Sequence, residues 1–67
     1  MTNESALRQV IDRSGFKIGF IAGEIGLTRS GFYRKLRNET EFKASEIAKL
    51  TELLQLSSVE VRDIFLS

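Results

Sequence analysis

Residues 16–38 read FKIGFIAGEIGLTRSGFYRKLRN, and the spacing of their apolar side chains decides the architecture. Ile18, Ile21, Ala22 and Ile25 recur at helical intervals, which gathers them on one side of a helix and on neither face of a strand. This helix is predicted to end at Gly26. Its Gly19 and Gly23 each cost about 1 kcal/mol of helix propensity relative to Ala, so it depends on packing. Beyond Leu27, Thr28 is a good N-cap, because its hydroxyl can accept a bond from an orphan N–H of the next helix. That helix is predicted from Arg29 to Arg37, with Phe32 and Leu36 as its inner stripe.

The same spacing extends outward in both directions. Leu7, Val10 and Ile11 form a stripe within a helix from Ser5 to Ser14, and Gly15 is placed to end it in the left-handed conformation. Asn38 to Glu41 is polar and reads as a loop, and Phe42 anchors it ahead of the amphipathic run Ile47, Leu50, Leu53, Leu54. Ser57 with Glu60 three residues on makes a capping-box pattern that opens a last helix carrying Val61, Ile64 and Phe65. No useful strand-period alternation, internal repeat or linker interrupts the series. The expected fold is all-α: a compact bundle of five short helices.

A chain of 67 residues has apolar surface for one core, so residues 1–67 are expected to form a single domain. It contains no Cys and no His. The usual zinc ligands, the thiol nucleophile and the best proton-transfer group near neutral pH are therefore missing, and neither an enzyme, a cofactor nor a small-molecule ligand is expected. No apolar run approaches the roughly 20 residues that span a bilayer. The segment Met1 to Gln9 also lacks the basic-then-apolar order of a signal peptide. A cytoplasmic protein that does not enter the membrane is the expectation.

Two helices joined as tightly as those around Gly26 can cross steeply only with a small residue at the crossing and a flexible one in the turn. Ala22 and Gly26 meet those requirements. Here the chain resembles the helix-turn-helix of phage repressor and Cro proteins, the lambda-repressor-like family. That pattern has Ala in the first helix, Gly four residues later, an apolar residue directly after the Gly and another further on in the recognition helix. Ala22, Gly26, Leu27 and Phe32 match it. Three positions depart from it: Ile18 stands where the family often has a phosphate-binding Gln, Lys35 where it has the second apolar residue of the recognition helix, and Asn38 where it frequently has Gly. The resemblance implies a sequence-specific DNA-binding transcriptional regulator of phage or prophage type.

Charge is an independent argument. Arg29, Arg34, Lys35 and Arg37 place +4 on one short element of a chain whose total is +1, leaving −3 for the rest. Concentrated positive charge favours a phosphate backbone by releasing its counterions. On a helix packed through Phe32 and Leu36, the side chains of Arg29, Ser30, Tyr33, Arg34 and Arg37 point away from that stripe or flank it. Arg bonds guanine O6 and N7 with parallel N–H groups, Ser bonds several base edges, and Tyr reaches a thymine methyl or a phosphate. By position in the family, Arg29, Ser30, Tyr33 and Arg34 are expected to read bases. Lys17, Thr28, Lys35, Arg37 and Asn38 are expected to hold phosphates or position the helix. Gly31 is expected to let the helix backbone approach the groove wall.

A second reading is a protein-binding adaptor or antirepressor that keeps the turn but applies the Arg29–Arg37 helix and Phe20 to another protein. The stripe Val61, Ile64, Phe65 and Leu66 is wide for a terminal helix, so the partners expected are double-stranded DNA and a second copy of the chain.

Overall fold

Asn3 starts the first helix: its side chain accepts from the Ala6 N–H at 3.1 Å, and α1 runs over Glu4–Ser14, one residue earlier than its apolar stripe alone predicts. The computed structural model describes residues 1–66, and among them the chain continues through α2 (Ile18–Glu24), α3 (Arg29–Leu36), α4 (Ala44–Leu54) and α5 (Ser58–Phe65), with no strand. The predicted caps are present. Gly15 closes α1 at φ 76°, Thr28 Oγ1 accepts from the Gly31 N–H at 3.0 Å, and Ser57 and Glu60 form a reciprocal capping box.

Three helices stop by one device. After α2, Gly26 turns left-handed at φ 82°, and the Gly26 and Leu27 N–H groups donate back to Gly23 and Ala22. The helix therefore ends at Glu24, two residues before the glycine that marks its end in the sequence. After α3, Asn38 takes the same role at φ 65°, with Asn38 and Glu39 donating to Lys35 and Arg34. After α4 it is Gln55 at φ 53°, with Gln55 and Leu56 donating to Glu52 and Thr51.

One apolar cluster takes side chains from all five helices, with Leu7, Ile21, Phe32, Leu36, Leu50 and Ile64 almost wholly buried. Phe42 lies between Phe32 and Phe65, edge-on to each at 5.6 Å, and so ties the loop after α3 to the core. Ala22 is buried in α2, and α2 and α3 are the most closely associated pair of helices. No helix of the described residues is long and apolar enough to cross a membrane.

Two polar ties fix α3 within the bundle. Lys35 Nζ donates to Glu46 Oε1 at 2.6 Å, with both side chains nearly buried, and the Lys43 N–H reaches the same oxygen at 2.8 Å. Burial opposes the Glu46 carboxylate, but the Lys35 ammonium and the Lys43 N–H outweigh it and hold the carboxyl below its ordinary value. At the other end of the fold, Asn38 accepts from the Thr2 N–H at 2.8 Å and donates to the Thr2 carbonyl at 2.9 Å, while the Asn3 N–H donates to Ile64 at 2.7 Å. The first residues thus bridge the turn after α3 and the end of α5.

Candidate functional site

The rotation of α3 is set by Phe32 and Leu36, one turn apart and both fully buried. That choice turns Arg29, Ser30, Arg34 and Arg37 out to solvent and leaves Tyr33 half-buried at the edge of the core. The apolar position one residue later than in the family pattern brings Lys35 to the flank of the buried stripe, where Glu46 neutralises it. Of the two roles expected for it, Lys35 is thus engaged in positioning the helix and is not free for a phosphate. Asn38 likewise positions the helix, both ends of its amide being engaged by Thr2.

The outward cations fall into two kinds. Arg37 donates through Nε to Glu39 at 3.0 Å, and its guanidinium lies over the Tyr33 ring at 5.8 Å. Both members of that ion pair are exposed, so water screens it and it is worth under about 1 kcal/mol. Lys17, Arg29 and Arg34, by contrast, pair with no carboxylate among the described residues. Among the described residues, Arg29 and Arg34 on α3 and Lys17 before α2 are thus without an ion-pair partner, and Arg37 is loosely held.

Thr28 accepts the Gly31 N–H, and its hydroxyl proton remains able to donate outward. This cap also explains the glycine: a Cβ at position 31 would come 3.1 Å from Thr28 Oγ1 and crowd the bond. Gly31 thus has a reason within the helix itself, apart from any approach to a groove wall. Lys17 precedes α2 in extended conformation without a side-chain cap, as expected for a lysine there, and stays exposed.

The starts of α2 and α3 enclose an open groove of about 440 Å³ lined by Lys17, Ile18, Gly19, Phe20, Arg29 and Tyr33. It brings together three of the residues singled out in the sequence, Lys17, Arg29 and Tyr33, and adds Phe20, which is 49% exposed and touches the Phe16 ring at 5.0 Å between centroids. On α5, Ile64 and Phe65 are buried and Val61 half-buried, so the apolar side chains left outward there are Val59 and Leu66.

Comparison of the chain with protein-family models, with curated proteins and with solved structures gives no match.

Proposed function

We propose that the chain is a sequence-specific DNA-binding regulator in which α2, the Ile25–Thr28 turn and α3 act as a helix-turn-helix of the phage repressor and Cro kind. α3 enters the major groove. The observation that carries this reading is the exposed ridge of Arg29, Ser30 and Arg34, whose guanidinium groups have no carboxylate partner among the described residues. Such groups give up no internal ion pair when they bind phosphate or guanine.

In this reading Arg29, Ser30, Tyr33 and Arg34 face base edges, and Lys17, Thr28 and Arg37 hold the backbone. Arg37 exchanges Glu39 for a phosphate when DNA arrives. Arg29→Ala is expected to lose about 1 to 3 kcal/mol of discrimination at one base position, whereas Arg37→Ala weakens specific and random duplexes alike. Titrations of both variants against single-base-substituted duplexes check this. Equal losses on every sequence for both variants would contradict the assignment of Arg29.

Val59 on α5 and Leu66 just after it, both exposed, support pairing of two copies. A two-fold dimer would set two α3 helices about 34 Å apart along one face of the duplex. Sedimentation of the complex is expected to give two chains per symmetric site; one chain per site at saturation would count against the dimer. The adaptor reading draws on one observation, the exposed Phe16–Phe20 pair.

A further inference from the structure

The groove between the starts of α2 and α3 is chemically one-sided. Among its lining residues are two cations, Lys17 and Arg29, two aromatic rings, Phe20 and Tyr33, and no carboxylate. An aromatic ring held half in water at its rim marks a surface suited to an apolar contact from outside. Gly19 adds a second feature. A Cβ there would meet nothing within 4 Å, so packing does not require glycine, and the helix gives up propensity in having it. What the missing side chain supplies is space along the groove.

An occupant that suits this lining carries negative charge next to a compact apolar surface. An acidic peptide has both, and so does a nucleic-acid strand, where each phosphate adjoins a deoxyribose whose carbon face is apolar. The groove shares Arg29 and Tyr33 with the residues proposed to face base edges, so a duplex seated on α3 lies beside it. We infer that this groove holds the sugar-phosphate backbone of one strand: Lys17 takes a phosphate, Arg29 adds to the field there, and Phe20 packs against the neighbouring deoxyribose. Phe20 is then a residue that positions the duplex, which nothing in its residue type or helix position announces. The inference rests on the DNA-binding reading and adds Phe20 of α2 to the backbone contact already proposed for Lys17.

The test uses the full chain and the duplex recovered by selection from a random pool, titrated at several salt concentrations. Phe20→Ala is expected to weaken binding about fivefold with the salt slope unchanged, since an apolar contact releases no counterions. Lys17→Ala is expected to weaken binding and to reduce the slope by about 0.9. Gly19→Leu, which fills the groove, is expected to melt no lower than the parent because it gains helix propensity, yet to bind several-fold more weakly. Duplex affinity unchanged in both Phe20→Ala and Gly19→Leu would overturn the inference, and so would loss of an acidic peptide's binding in those variants with the duplex unaffected. Should Arg29→Ala still lose base discrimination in that case, the groove assignment falls and the DNA-binding reading stands; a parent chain that binds no duplex at any salt removes both.

Discussion

Glu46→Ala is expected to destabilise the fold by about 2 to 3 kcal/mol, a large share of what a domain of this size holds. The carboxylate serves two groups through one oxygen, the Lys35 ammonium at 2.6 Å and the Lys43 N–H at 2.8 Å, and its removal leaves a nearly buried cation and an orphan helix-start N–H. The four-carbon stem of Lys35 allows the ammonium to reach water by rotating outward, which keeps the loss below that of a fully enclosed pair. Lys35→Met combined with Glu46→Leu is expected to recover most of the stability, because two apolar side chains replace two charges that had to be desolvated. Chemical denaturation of Lys35→Met, of Glu46→Leu and of the double variant checks the cycle; additive losses with no recovery would contradict coupling between these residues.

The same pair sets an acid dependence. Glu46 is held below its ordinary carboxyl value of 4.5, so the unfolded chain binds that proton at a higher pH than the folded chain does. The stabilisation is complete above about pH 4.5 and declines as the pH falls through the lower folded value. Glu60 acts in the same direction, drawn down to about 2 by Arg13 and by the Ser57 N–H, but it lies at the surface where water screens its share. Glu46→Gln, which cannot ionise, is accordingly expected to flatten part of the acid limb of the stability profile.

These two carboxylates also mark where the sequence stops being informative. Caps are local, and a residue type at a fixed offset announces them: Gly15, Thr28, the Ser57–Glu60 box and the left-handed Asn38 are all legible from residue type and spacing alone. The inner stripe of α3 is legible for the same reason, since Phe32 and Leu36 sit one turn apart. Lys35 is not. A lysine beside a buried stripe looks like part of a solvated face until the start of another helix, eleven residues on, proves to hold its counter-charge. Asn38 is legible as a turn residue, but its side chain serves Thr2, 36 residues away, through a contact that no pattern encodes. Phe20 reads only as an apolar residue off its stripe, because the groove beside it is formed by two helices together. Charge pattern names the cations of the ridge, and only the packing sorts Arg29 and Arg34 from Lys35.

That sorting governs the second large effect. In the proposed complex each copy brings Lys17 and Arg37, the latter released from Glu39, to backbone phosphates, while Lys35 stays paired inside the fold. Release of counterions at about 0.9 per phosphate neutralised then predicts a slope of log K against log salt near −1.8 for one copy, and about a 12-fold loss of affinity between 50 and 200 mM salt. Two copies on a symmetric site double the slope, so the loss across that interval approaches about 150-fold.

The most direct measurement is equilibrium binding of the purified chain, across that range of salt, to a duplex selected from a random pool and to an unselected one. The account predicts a steep slope on both, with the selected duplex held about 10³-fold or more tightly than the unselected. A flat response to salt, or equal affinity for the two duplexes throughout, would contradict it.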